Sequence, residues 1–185
     1  QGKVAENDRL NAEAHEKFMA SGAQLSDEFA KQIEKFAGSA AKNYGQSKQQ
    51  AMSAAAGFAT FGKAAGLNGQ ELVDFSTKLT GLSSDMASFS NTTPDEAIEA
   101  VGAALRGESE PIRKYGVLLN EASLKAKAME MGLYDGKGAL DAQAKTMATY
   151  QLILDKTKDA QGDFARTSDG LANKQRIMQA QMDNL

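Results

Sequence analysis

The sequence predicts an all-α protein: several helices broken at glycine and proline turns, partly extended, and packed in an oligomeric helical bundle or against partner proteins. Three observations carry this. Apolar residues recur at three- and four-residue spacing along most of the chain, and little of it reads as strand. Helix start and stop signals are dense, above all between Asp85 and Leu133, where both prolines lie. Aromatic residues make up only 6% of the 185 residues and tryptophan is absent, and alanine, glycine, lysine, glutamine and methionine fill the space instead. Such a chain buries modest apolar area per residue, which makes an isolated compact monomer marginal and partner chains a natural remedy.

The first elements form an amphipathic helical arm, residues 1–45. Val4 to Ala20 is charged and helix-favouring, with Leu10, Ala14 and Phe18 spaced four apart, and Ser21-Gly22 breaks it. Leu25, Phe29, Ile33 and Phe36 then mark a second helix whose Asp27, Glu28, Lys31 and Lys35 face away. Gly38 and Gly45 loosen its continuation.

Residues 46–133 read as a helical module. From Ala51 to Leu67 the chain is small and apolar, with Lys63 the only charge. Its length approaches the shortest membrane spans, but alanine and glycine keep its hydrophobicity low and Lys63 interrupts it. A tightly packed helix is the preferred reading. Gly62 and Gly66 have the spacing that lets helices approach closely, a pattern also common by chance. Leu67 to Glu71 is a turn into a helix through Leu72, Phe75, Leu79 and Leu82. Thr93-Pro94-Asp95-Glu96 is a further start: Thr93 caps, Pro94 sits where a missing N–H costs nothing, and Glu96 has the capping-box spacing. Ala97, Ile98, Val101, Ala104 and Leu105 give that helix its apolar stripe, and Gly107 ends it as a left-handed cap. Pro111 opens another start after Ser109-Glu110. Tyr115-Gly116-Val117-Leu118-Leu119 fits an extended buried link, punctuated at Gly116. Asn120 caps a helix from Glu121 to Met131 that stops at Gly132.

Residues 134–185 form a C-terminal helical segment. Tyr134 to Gly138 is a turn, Leu140-Asp141 a staple and cap, and a long helix or pair of helices runs from Ala142 with a break at Gly162 or Gly170. Leu171, Met178 and Leu185 repeat every seven residues, with Met182 and Gln175 beside them. These are the candidate partner-contact residues, serving either a coiled-coil seam between copies of the chain or a helix lying on a neighbouring protein.

The run from Ser88 to Leu133, SFSNTTPDEAIEAVGAALRGESEPIRKYGVLLNEASLKAKAMEMGL, closely resembles the helical module of tailed-phage tape measure proteins, above all at AALRGESEPIRKYGV. The flanks, NYGQSKQQAMSAAAGFATFGKAAGLNGQELVDFSTKLTGLSSDMASF and KTMATYQLILDKTKDAQGDFARTSDGLANKQRIMQAQ, look similar to the same family, so the resemblance spans roughly Tyr44 to Gln181. It implies a structural protein of the virion that occupies the tail lumen or tail tip, helps set tail length and leaves ahead of the DNA. The implied partners are copies of the chain itself (a trimer), tail-tip or baseplate hub proteins, distal tail proteins and the tail tube wall, with host-envelope contact on ejection. A continuous helix of this length would span on the order of 280 Å. Seventeen glycines and two prolines argue instead for helices folded back on each other or docked on tail-tip proteins.

No catalytic, cofactor or metal site is expected. A net charge of −3 without a basic stripe argues against specific nucleic-acid binding, and a chain without cysteine has no disulfide or thiolate site. His15, the only histidine, lies in charged helical sequence and reads as solvated. Glu108 stands in a tight turn where nothing would desolvate it, against a role as general acid. Lys137 occupies a place where a calcium loop at Asp135 to Gly138 would want oxygen. Two other function classes stay open: a membrane-active, pore-forming segment aiding DNA passage, and a peptidoglycan hydrolase module. With no initiator methionine or secretory signal, the sequence reads as an ordered fragment of a longer chain.

Overall fold

The structure, a computed structural model, describes residues 27–185, with side chains from residue 30, and isolated helical positions 5, 9, 12, 13 and 16 before them. Leu10, Ala14, His15, Phe18, the Ser21-Gly22 break and Leu25 lie outside the described residues, as does the side chain of Phe29. The described residues are helical, with no strand among them. In order they form α1 (Asp27–Gly38), α2 (Ala40–Tyr44), α3 (Lys48–Ala64), α4 (Gly69–Ser90), α5 (Pro94–Leu105), a 3-10 turn (Pro111–Tyr115), α6 (Glu121–Glu130), α7 (Ala142–Lys156), α8 (Asp163–Arg166) and α9 (Leu171–Asp183).

Local sequence explains most boundaries. Thr93 and Glu96 form a reciprocal capping box at the start of α5, with Pro94 in the first turn. Asn120 and Ser123 form another at α6, and Asp141 caps α7 by accepting the Ala144 N–H at 2.7 Å. The stops at α5 and α6 share one device. A glycine with positive φ (Gly107, Gly132) follows the last turn, and the next N–H reaches back to the carbonyl of Ala103 or Ala128.

The predicted membrane-or-core segment is α3, and it lies inside the core. Ala51, Ala54, Ala55, Ala56, Ala59, Met52 and Phe58 are buried on several sides, and no described helix is long and apolar enough to cross a membrane. The two glycines predicted to pack closely separate into different roles. A methyl group on Gly62 would sit 2.8 Å from Leu72 Cδ1 and 2.9 Å from Phe75 Cδ1, so α4 approaches α3 there. Gly66 lies beyond the helix at φ +88°, where it turns the chain so that the Leu67 N–H closes on the Gly62 carbonyl. It caps the helix and also lies against α7, where a methyl group would stand 2.8 Å from the Gln143 side-chain nitrogen.

Two further expectations change. Tyr115 belongs to the 3-10 turn started by Pro111, and Gly116 reverses the chain at φ +81°. Of the link that follows, Val117 is buried but Leu118 is exposed, because an extended segment points successive side chains to opposite sides. The C-terminal helix breaks at Gly162 and Gly170 and also stops earlier, at Lys156. There the Thr157 hydroxyl donates back to the Ile153 carbonyl, while the Gln161 amide donates to the Leu154 carbonyl and satisfies one of the last acceptors of α7.

The main core joins Phe58 of α3, Phe75, Leu79 and Met86 of α4, Val101 and Leu105 of α5, Ile112, Val117 and Ile153 of α7. Ile33 of α1 packs on Ala55, Ala59, Leu72 and Val73, and Leu124 and Ala128 of α6 meet Ala148 and Leu152 of α7. Alanine dominates the small clusters, which lets backbones lie close but leaves few large side chains to hold them.

Candidate functional site: the C-terminal helix

Helix α9 has its polar face inward and its apolar face outward. Leu171, Met178, Met182 and Leu185 are 73%, 60%, 54% and 70% exposed, whereas Asn173, in the first turn of the helix, is 3% exposed. With Gln175 and Met182 placed at heptad positions a, the residues Leu171, Met178 and Leu185 fall at d, and Asn173 and Ala180 fall at f on the far side. The candidate partner-contact residues therefore form one uncovered stripe, roughly 21 Å long at the helical rise per residue. Exposed Phe89, at the end of α4, shares a groove with Leu171 and extends the apolar surface.

The inward face is held by hydrogen bonds. Asn173 Nδ2 donates to Ser88 Oγ at 2.9 Å and to Thr167 Oγ1 at 2.8 Å. Arg176 donates to the Thr92 carbonyl at 2.7 Å and to Asn173 Oδ1 at 2.8 Å. At the far end, Asn184 Oδ1 accepts the Lys48 N–H at 2.8 Å and so caps the first turn of α3. Only Ala180, buried, and Ile177, half-buried, give this face apolar contact.

The connection from α7 is pinned by Asp85 and Phe164. Asp85 Oδ2 accepts the Gly162 N–H at 2.9 Å and Oδ1 the Phe164 N–H at 3.1 Å, so one carboxylate of α4 caps the start of α8. Burial pushes the Asp85 carboxyl above the ordinary carboxylate range, outweighing the two N–H donors; Asp163 adds to the rise and Arg166 opposes it. Asp163 in turn accepts the Ser88 hydroxyl at 2.7 Å. Phe164 is buried over Gly45, where a methyl group would stand 3.0 Å from its ring and 2.9 Å from Arg176 Cβ.

The other sequence candidates lie elsewhere and do not converge. Thr93, Pro94, Gly107, Pro111 and Gly116 shape the chain around α5. Glu108 is exposed and paired with Arg106 at 3.2 Å. Asp135 accepts the Lys137 N–H at 2.9 Å in a local turn. Among the described residues, no group of three or more His, Cys, Asp or Glu is placed to hold a metal ion. A groove of about 510 Å³ runs between the end of α5, α6 and α7, lined in part by Leu105, Leu119, Leu124 and Leu140.

Comparison with protein-family models, curated proteins and solved structures finds no match for this chain.

Sequence reasoning found the outer stripe of α9 but missed the clasp beneath it. Asn173 was the available signal. It stands opposite the apolar stripe, where a residue facing the core would ordinarily be apolar, so its amide must find partners there.

Proposed function

We propose that this chain is a folded docking segment of a tailed-phage tape measure protein, with a structural rather than catalytic role. It sits in the virion near the tail tip and is released ahead of the DNA. The observation that carries this reading is the uncovered heptad stripe of α9, Leu171, Met178, Met182 and Leu185, on a helix whose other face is already fixed to the core. An uncovered apolar stripe is suited to a protein partner: copies of the chain, a tail-tip or hub protein, or the tube wall. The wording from Ala103 to Val117 supplies the family. The fold supplies the division of labour, since helices that fold back on one another do not advance 1.5 Å for every residue and serve poorly as a ruler.

Epitope-tagged chain in assembled phage particles tests this. Gold label at the tail tip of intact particles, lost after ejection, is the expected result. Particles that carry no label, or a chain found only in the infected cell, would overturn the reading.

A further inference from the structure

The residues beyond α7 are attached to the core in a different way from everything before them. None of the four buried apolar clusters contains a residue later than Ile153. The core is therefore complete before the chain reaches residue 157. Beyond that point the buried apolar side chains are Ala160, Phe164 and Ala180, and only Phe164 is large. The big apolar residues of α9 stay in water while the helix is docked, so undocking it forfeits little hydrophobic burial.

What holds the segment is a set of tertiary hydrogen bonds to α4, to the turn after it and to the start of α3. Asn173 and Arg176 join Ser88 and the Thr92 carbonyl, Asp85 holds the Gly162 and Phe164 N–H groups, and Asn184 holds Lys48. Each such bond has a modest net value, because water replaces it on opening. The receiving surface centres on Gly45. Its missing side chain admits Phe164 and Arg176, and its φ of +63° is set by the turn between α2 and α3 whether or not the strap is there.

We propose that residues 157–185 form a detachable strap, which opens as a unit while α1 to α7 stay folded, with Asn173 and Arg176 as the polar clasp that sets how often it opens. Opening leaves the heptad stripe intact on α9 and frees the helix to travel with whatever binds it. The device rests on the packing alone and stands apart from the tape measure reading.

Because the chain has no cysteine, a single introduced thiol reports opening cleanly. Ala180→Cys places it beneath α9, and Ala87→Cys places it on the buried face of α4. With a soluble disulfide reagent under native conditions, the thiol at 180 is expected to react about a hundredfold faster than that at 87, as sub-global opening requires. Asn173→Ala should speed labelling at 180 by roughly another tenfold and leave labelling at 87 unchanged. Equal rates at the two sites, or a clasp mutation that speeds both alike, would show that the strap opens only with global unfolding and overturn the proposal. Should either cysteine variant fail to fold, amide hydrogen exchange on the unaltered chain decides the matter. Faster exchange in α9 than in α4 supports the strap, and matching protection refutes it.

Discussion

The core of α3, α4 and α5 and the strap of α8 and α9 are both helical, yet they are stabilised by opposite faces. In the core, side chains such as Phe75, Leu79 and Val101 point inward and charge points out. In the strap, Asn173 and Arg176 point inward and Leu171, Met178 and Met182 point out. Helix formation says little about how a segment is held. The core is fixed by apolar area that water cannot replace, the strap mainly by hydrogen bonds that water can replace.

The largest expected effects separate the two regions. Val101→Ala or Leu79→Ala, both at fully buried sites, should cost about 2–4 kcal/mol and lower the denaturation midpoint of the whole chain, strap included. If either substitution loosened α9 and left α3 to α5 unaffected, the core would not be what holds the molecule. Gly45→Ala should act the other way round. Its methyl group would crowd Phe164 and Arg176, and its backbone would be strained at positive φ. The expected result is a strap that exchanges its amides freely over a core with at most about 1–2 kcal/mol of lost stability, measured by hydrogen exchange alongside chemical denaturation. A smaller, purely local effect is expected from Thr93→Ala, which removes the capping box at α5 and should cost about 1 kcal/mol of global stability without changing relative protection in the strap.

Acid should act on Asp85 and Asp155 in opposite directions. The Asp85 carboxyl is raised by burial, so the folded chain binds its proton more tightly than the unfolded one. That contribution to global stability is fully present below the ordinary carboxylate pKa and lost as pH rises through the raised value. Asp155 is the reverse case. Hydrogen bonds from Lys127, at 2.8 Å, and from Gln151 hold its carboxyl below the usual range, and the Lys127 bond ties α6 to α7. Its contribution is present above the ordinary carboxylate pKa and disappears as pH falls through the lowered value. Acidification through the carboxylate range should therefore keep the Asp85 contribution while weakening the α6–α7 contact, and Asp85→Asn should remove the Asp85 part of the pH dependence of global stability, measured by denaturation across the carboxylate range. A pH profile that Asp85→Asn leaves unchanged would contradict the role of Asp85. The smallest effect on stability is expected at the outer stripe. Met178→Ser should change it by no more than about 0.5 kcal/mol and, under the proposed tail role, should reduce incorporation into tails, scored by blotting purified particles.

Much of this was legible in the sequence where the cause is local. The capping residues Thr93, Asn120 and Asp141, the stops at Gly107 and Gly132, and the apolar spacing of α4 and α5 depend on neighbours a few positions away, which a sequence displays directly. Where the cause is tertiary, reading along the chain fell short. Gly62 and Gly66 look equivalent in sequence, and only the tertiary structure shows that one admits α4 from within the helix while the other ends α3 and lies against Gln143 of α7. The stop at Lys156 depends on back-bonding by Thr157 and Gln161 that no breaker residue announces. The clasp joins Asn173 to Ser88 and Arg176 to Thr92, pairs 85 and 84 positions apart, and no periodicity along the chain reaches so far.

The most direct test of the division between core and strap is to end the chain after Lys156 and follow unfolding by far-UV circular dichroism in denaturant. The structure predicts a fragment that keeps the helical signal of α1 to α7 and unfolds in one cooperative transition with a reduced denaturant slope, as expected for the smaller surface exposed. A fragment that loses its helix, or melts without cooperativity, would contradict it and make α8 and α9 part of the core.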